Sequence, residues 1–240
     1  MFNDSESHNH VQIEDLIENA FEEIDPAPSL IRIINNHPGY EDIEFLIVDA
    51  YIRAIERMPS RGYALPKALK KLEAISADID NDLASTVYFN ADFSNVEASE
   101  YGPKNKFLMH SFISGLSIKH NLAQTTTMYA LIEKGLDPDG ARQKCESFSG
   151  ITNEIFVVGA CIQVLLAGSV LISESAGPNY RTTADIVARQ LKSRMEEGVV
   201  KEKHAHAVLE LAIAHADSGL LANNDRDDVW TLLFPPPSTH

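Results

Sequence analysis

The feature that most constrains the fold is an apolar run of 18 residues, Ile155–Ile172. A helix that is apolar on every face is either a core helix of a soluble protein or a membrane span. The run contains Gln163 and Ser169, and Glu154 and Glu174 flank it instead of lysine or arginine. Such flanks give no positive-inside signal that would orient a span. We therefore predict that residues 155–172 form a buried central helix of a soluble protein that does not enter a membrane.

The rest of the chain has the periodicity and the end signals of helices. Apolar residues recur at i, i+3 and i+4 spacing, and turn-forming residues separate the periodic segments. Thr152 is placed to cap the central helix, and Gly198 and Gly219 each follow a later helix. The pattern contains no strand pair and no fixed repeat. It predicts an all-α fold, a multi-helix bundle of about nine or ten helices around the central apolar helix.

Composition along the chain predicts an order of segments that together form one compact domain. The charged and periodic stretches are interrupted once by a long segment without sustained period, which reads as a connector. In chain order we predict a flexible N-terminus at 1–10, an acidic helical region at 11–77, an irregular connector at 78–104, a C-terminal helical bundle at 105–234 and a flexible tail at 235–240.

The chain has two cysteines, Cys145 and Cys161, and its first ten residues are polar. Two scattered cysteines make neither a disulfide framework nor a zinc-binding spacing, and a polar start is not a signal peptide. Glycine-rich phosphate and dinucleotide fingerprints are missing as well. We therefore expect a cytoplasmic protein without a cofactor.

Acidic charge is concentrated at one end of the chain. The formal net charge is −15, and residues 1–60 hold 13 acidic and 3 basic residues, a net of −10. Such a charge repels nucleic acid and anionic membranes, so we expect neither as a partner. A concentrated acidic segment favours instead a recognition surface for another protein, one with a basic surface.

The first helix combines this charge with an apolar stripe. Amphipathic helices dock into grooves on partners, or they pack their stripe on their own domain. The docking interpretation predicts a non-enzymatic interaction protein, that is, an adaptor, an inhibitor or a chaperone-like protein. A nucleic-acid-mimicking inhibitor of a basic protein is one alternative, and a homo-oligomer is compatible with the sequence. The predicted partner-binding residues are the apolar Ile13, Leu16, Ile17 and Phe21 and the acidic Glu14, Asp15, Glu18, Glu22 and Glu23.

A second alternative is an enzyme, and the segment 204–217 offers one set of residues for it. On a helix, His206, Glu210 and Asp217 fall on one polar face, and the spacing of His206 and Glu210 allows a shared metal ion or a hydrogen bond. A metal site normally needs a third ligand brought from elsewhere in the fold. The more ordinary interpretation is a solvated polar face.

The segment Arg32–His37 (RIINNH) contains a second group of residues that would suit an active site. Its R-x4-H spacing is similar to the motif of HEPN-type ribonucleases, in which an arginine and a histidine at one helix end act on a phosphodiester. The resemblance covers six residues. It departs from the family at Ile33, where a polar residue is expected, and in its position near the N-terminus. The alternative role for His37 is that of a cation near the last carbonyls of a helix.

Overall fold

The structure is a computed structural model that describes residues 4–40, 42–72, 106–122, 136, 152–174, 180–221 and 226–235. Within these ranges the chain forms nine α-helices and one short 3-10 helix, and no β-strand. The all-α prediction is confirmed. The predicted connector 78–104 and Cys145 lie outside the described residues.

The chain divides into two compact units, which we describe separately. Unit 1 comprises Met1–Asn90 and His120–Ala123, and unit 2 comprises Ala91–Lys119 and Gln124–His240. The division at residue 90 falls inside the segment that the sequence predicts as a connector. The prediction of one compact domain stays a prediction.

Unit 1 is built from four α-helices and the 3-10 helix. Helix α1 packs against α2 and α3, α2 packs against α4, and the 3-10 helix contacts α3 and α4. Helix α1 starts earlier than its apolar pattern, so it includes most of the segment 1–10, whose flexibility stays a prediction. The bounds are α1 Asp4–Phe21, α2 Ala27–Asn36, α3 Ile43–Arg57, the 3-10 helix Pro59–Tyr63 and α4 Leu65–Leu72.

The core of unit 1 is formed where the apolar stripes of these helices meet. Ile17 and Phe21 of α1 are fully buried, as are Leu30 of α2 and Ile47 of α3. The ring of Phe21 lies 6.5 Å from that of Tyr51 on α3, centroid to centroid. Full burial of such side chains contributes roughly 1.5–3 kcal/mol each, so this stripe holds α1 on the unit.

Unit 2 is arranged around the predicted central helix. Helix α6 packs against α5, α7, α8 and α9, and its side chains from Ile155 to Gly168 are all buried. The prediction of a central apolar helix is therefore confirmed. The bounds are α5 Lys106–Lys119, α6 Asn153–Glu174, α7 Tyr180–Glu196, α8 Lys203–Asp217 and α9 Val229–Leu233.

Helices α5 and α6 approach each other closely because small residues face the contact. A Cβ atom added at Gly159 would lie 2.6 Å from Phe107 Cε1 and 2.7 Å from Ser111 Oγ. One turn further along α6, the buried Gln163 Nε2 donates to Ser114 Oγ at 3.1 Å. Thr152 caps the helix as predicted, since its Oγ1 accepts from the backbone N–H of Ile155 at 3.2 Å.

Helix α6 is kinked at Ala167, where φ is −134° and ψ is 15°. The carbonyl oxygen of Leu165 accepts a hydrogen bond from the backbone N–H of Arg226 at 2.8 Å. The following helix α9 packs Trp230 against Phe112 of α5, with ring centroids 5.1 Å apart. The C-terminal segment thus supplies both a backbone donor and an aromatic contact to the centre of unit 2.

By its length and composition alone, helix α6 is long and apolar enough to cross a membrane. Its window Asn153–Val170 has a mean hydropathy of 1.7, and 83% of that window is buried inside the protein. A core helix of a soluble protein has this combination of hydropathy and burial. The burial agrees with the core position predicted for 155–172.

Candidate functional site

The acidic residues on one side of α1 face arginines of the same unit. Arg53 Nη2 on α3 lies 3.2 Å from Glu14 Oε1 and 3.1 Å from Glu18 Oε1, and Arg53 Nη1 lies 2.9 Å from Asp49 Oδ2. Three carboxylates therefore surround one guanidinium group. These side chains are about one third exposed, so their mutual attraction is only partly screened by water.

The row of ion pairs continues toward the end of α1. Arg57 Nη1 lies 3.5 Å from Glu18 Oε2, and Arg57 Nη2 lies 3.6 Å from Glu22 Oε1. Glu22 Oε2 lies 3.9 Å from Arg61 Nη1. Much of the acidic charge that the sequence concentrates in α1 is thus paired inside unit 1. Asp15 and Glu23 of the predicted set are exposed and belong to no ion pair among the described residues.

The apolar residues of the predicted docking surface differ in how deeply they are buried. Ile13 is 3% exposed, and Ile17 and Phe21 are fully buried in the core of unit 1. Leu16 is 47% exposed on the side of α1 that faces α2. While α1 is packed, Leu16 is the one predicted anchor that a partner can contact directly.

Leu16 lies at the centre of a groove between α1 and α2. The wall from α1 is formed by Gln12, Ile13, Leu16, Asn19 and Ala20, and Glu23 continues it in the turn that follows the helix. Two cavities, of about 300 and 250 Å³, adjoin along it, and both are lined by Leu16 and His37. We call these two cavities together the α1–α2 groove.

One end of the groove is formed by the turn after α2. The N–H of Tyr40 bonds the carbonyl oxygen of His37 at 3.2 Å, and Gly39 has a φ of +88°, which glycine adopts without the steric cost of a Cβ atom. Desolvation raises the pKa of Tyr40, and the carboxylates of Asp42 and Glu14 raise it further. The phenol therefore keeps its proton at neutral pH, and the larger cavity is lined by this ring and by Pro38.

The other end of the groove is held by a hydrogen-bonded chain of three side chains. Ser29 Oγ is almost buried and donates to the carboxylate of Glu23, lying 2.8 Å from Oε1 and 3.0 Å from Oε2. Arg32 Nη2 donates to Ser29 Oγ at 3.2 Å. The chain ties the first turn of α2 to the turn that follows α1, which fixes the width of the groove at this end.

Arg32 and His37, the pair that resembles the HEPN motif, line the same 250 Å³ cavity. Arg32 is exposed and His37 is half-buried. Asn36 lines the cavity with them, so a cation, an imidazole and a carboxamide share one space. Ile33 is buried in the floor and offers no polar group at the position where the family has one.

The predicted metal-binding row lies on the solvent side of α8. His206 Nε2 and Glu210 Oε1 are 3.7 Å apart, whereas Asp217 Oδ1 accepts from Lys192 Nζ of α7 at 2.7 Å. No group of three histidine, cysteine, aspartate or glutamate side chains comes together in the part of the chain that the structure describes. The structure thus brings two of the three candidates together. His215 of the same helix is buried, with 3% of its surface exposed.

Sequence reasoning missed the carboxamide residues of the groove. Gln12, Asn19 and Asn36 are polar residues on helix faces, a pattern that is ordinary for solvated surfaces. The available signal was the spacing of Gln12 and Asn19 around Leu16 in α1, followed by the turn His37–Tyr40. Only the packing of α1 against α2 shows that these groups share one groove.

Comparison with known proteins gives no further assignment. A scan against protein-family models, a search of curated proteins and a search of solved structures each found no match to this chain.

Proposed function

We propose that the protein is a non-enzymatic interaction protein, of the adaptor, inhibitor or chaperone-like kind, and that it binds another protein through the α1–α2 groove. The observation that carries the proposal is the exposure of Leu16 between two adjoining cavities. An apolar side chain with accessible concave surface on both sides offers a partner a place to bury apolar area. The other apolar anchors of α1 already pack in unit 1.

Charge has a secondary role in this proposal. The carboxylates of Glu14, Glu18 and Glu22 face arginines of their own unit, so they do not form a continuous unpaired surface. This favours the groove over a nucleic-acid-mimicking face. Glu23 is exposed, lines one end of the groove and would attract a basic rim on the partner, mainly raising the rate of association.

The test compares two exposed aliphatic residues, Leu16 in the groove and Ile24 in the turn after α1. Leu16→Asp puts a charge in the groove, and Ile24→Asp puts the same charge on a side chain that is 99% exposed outside it. Each variant and the wild type are immobilised and exposed to extract from the source cells, and the bound proteins are quantified by mass spectrometry. We expect a partner whose recovery falls at least tenfold with Leu16→Asp and less than twofold with Ile24→Asp. Equal recovery by all three proteins would exclude the groove as the binding site.

A second candidate function has one specific observation in its favour. Because Arg32 and His37 line one cavity, the pair is placed to bind a phosphodiester and to move a proton there, as a ribonuclease requires. A nuclease assay with Arg32→Ala and His37→Ala tests it. Loss of RNA cleavage in both variants supports the activity, and cleavage that survives both assigns it to a contaminant.

The cytoplasmic location is part of the same proposal. Cys161 is a free thiol buried in α6, and burial raises its pKa, so it stays protonated and unreactive. A buried thiol of this kind is compatible with a reducing compartment.

A further inference from the structure

We propose that Arg194 of α7 binds a phosphate group inside unit 2, and that Gln190 accepts a hydrogen bond from a protonated oxygen of that group. This site lies in unit 2, whereas the α1–α2 groove lies in unit 1, so the two proposals are independent. Three observations carry it: the burial of the Arg194 side chain, two of its nitrogens that bond no described residue, and a buried acceptor atom one helical turn earlier.

Arg194 occupies a core position of α7. The buried stripe of this helix runs through Ala184, Val187 and Leu191, and Arg194 continues it three residues later with 1% of its surface exposed. Helical spacing places an apolar side chain at such a position. A buried cation is normally paired and hydrogen-bonded, because its removal from water is otherwise costly. An arginine at this position therefore indicates a partner for its charge.

The carboxylate of Glu197 pairs with only one end of the guanidinium group. Arg194 Nη1 lies 2.8 Å from Glu197 Oε2, and the other carboxylate oxygen, Oε1, accepts from Ser193 Oγ at 3.1 Å. Both oxygens of Glu197 are thus already engaged. The Glu197 side chain is 42% exposed, and a Cβ atom added at the neighbouring Gly198 would meet no atom within 4 Å. One end of the guanidinium group therefore lies next to solvent, from which a small ion can enter.

The opposite edge of the guanidinium group has no partner in the described part of the chain. The nitrogens of this edge, Nε and Nη2 of Arg194, are buried and form no hydrogen bond there. Their N–H groups point in the same direction, and this parallel pair is the fork with which arginine binds two oxygens of one carboxylate or phosphate. The ligand that fits this edge is therefore an oxyanion.

Gln190 favours phosphate over other oxyanions. It lies four residues before Arg194, so the two side chains are neighbours on one face of α7. Its Oε1 atom is buried and accepts no hydrogen bond from the described residues. Carboxylates and sulfate have no proton to donate near neutral pH, whereas phosphate keeps one. A phosphate group therefore accepts from Arg194 and donates to Gln190 at the same time.

Isothermal titration calorimetry on the full-length protein tests the site, with inorganic phosphate, methyl phosphate and sulfate as the ligands. The titrations are done near pH 6, where a phosphate monoester keeps about half of its second proton. We expect inorganic phosphate to bind at least fivefold more tightly than sulfate. Equal affinity for methyl phosphate would identify the natural ligand as a phosphate ester, and much weaker affinity would identify it as the free ion.

Three variants locate the binding. Arg194→Lys keeps the charge and removes the fork, so it should weaken phosphate binding at least tenfold. Gln190→Met keeps the side-chain length and removes the acceptor, so it should weaken phosphate binding at least threefold and leave sulfate binding unchanged. Arg189→Met is the matched control, because Arg189 is exposed on the same helix, and we expect less than a twofold change.

Two results would overturn the inference. One is a wild-type protein that binds no phosphate at millimolar concentration, and the other is phosphate binding that both Arg194→Lys and Gln190→Met leave undiminished. Equal affinities of the wild type for phosphate and sulfate would exclude the role of Gln190. Circular dichroism shows whether each variant folds. If Arg194→Lys does not fold, Gln190→Met decides, because Gln190 is only half-buried.

Discussion

Helices α1 and α6 show two different ways of holding a helix in this protein. Helix α6 is buried on every face from Ile155 to Gly168, and its polar Gln163 bonds Ser114 inside unit 2. Helix α1 buries a single stripe, pairs a second side with arginines and leaves a third side, around Leu16, open. A helix with an open side can bind a ligand without losing its packing, and this is the reason for proposing a binding site on α1.

The two helices are also stabilised by different kinds of interaction. Burial in α6 is an effect of apolar area and close packing, which salt does not screen. The ion pairs of α1 are partly exposed, and pairs of this kind contribute roughly 0–1 kcal/mol each. Substitutions in the two helices should therefore differ in size and in their response to salt and pH.

The largest expected difference in the free energy of unfolding is between an aspartate substitution in α6 and one in α1. Val158 of α6 is fully buried, so Val158→Asp places an uncompensated charge in the core and should cost about 3–5 kcal/mol. Leu16→Asp on the open side of α1 should cost less than about 1 kcal/mol. Urea unfolding followed by circular dichroism measures both. If both variants lost the same free energy of unfolding, the conclusion that α1 has an open side would be contradicted.

Close packing between α5 and α6 is tested at Gly159. Its added methyl group would meet Phe107 and Ser111 below van der Waals distance, so Gly159→Ala should lower the free energy of unfolding by about 1–3 kcal/mol. Trp230, the single tryptophan, lies in unit 2 and gives a fluorescence signal for the transition. Glu196→Ala, on the exposed face of α7, is the control and should change stability by less than about 0.5 kcal/mol. An unchanged midpoint for Gly159→Ala would show that the contact relaxes without cost.

The ion pairs of α1 are tested at Arg53, which contacts three carboxylates. Arg53→Met keeps much of the side-chain volume and should cost about 1 kcal/mol at low salt. The loss should shrink in 1 M salt, where the Debye length is about 3 Å. Arg189→Met is the control in unit 2, where the described residues provide no ion pair for that side chain. A loss at Arg53 that is independent of salt would assign the effect to packing instead.

The smallest expected effect concerns a surface pair of unit 2. The side-chain hydrogen bond from Arg226 lowers the pKa of Asp228 below its ordinary value of 3.8. The pair therefore stabilises the folded state above that value, and the contribution is lost as the pH falls through the lowered pKa. Asp228→Asn should be less stable than the wild type by under about 0.5 kcal/mol near neutral pH, because the side chain is half exposed. The difference should shrink as the pH falls below 3.8 and through the lowered pKa of Asp228. If Asp228→Asn and the wild type still differed equally in stability in acid, the Arg226–Asp228 hydrogen bond would not be the cause of the difference.

Prediction from the sequence was most successful where the signal is local. The central apolar helix is confirmed as α6, with Thr152 as its cap, and Gly198 has a positive φ after α7. Prediction was least successful at α1, where the helix continues to Asp4 through residues without an apolar stripe. Helix starts depend on small differences between competing hydrogen bonds, and a polar segment gives no strong indication of its start.

For the candidate site too, the sequence predicted local features and did not predict the contacts between distant residues. Leu16, Arg32 and His37 were identified from sequence, each for a separate reason, and the structure brings them to one groove. Glu14, Glu18 and Glu22 were predicted as a surface for a partner, and the structure pairs them with arginines that lie far away in sequence. Pattern analysis finds which side of a helix is polar but cannot identify the groups that face it.

The sequence by itself determined that the described residues are all-α, that the apolar run 155–172 lies in a central helix, buried from Ile155 to Gly168, and that α1 is amphipathic and acidic. These properties follow from residue type and spacing within one helix, because burial requires an apolar surface at the helical period. Only the tertiary structure decided which side of α1 is covered by α3, which carboxylates are paired, and that Leu16, Arg32 and His37 line one cavity. Those outcomes depend on contacts between residues distant in the chain, and helical spacing carries no information about them.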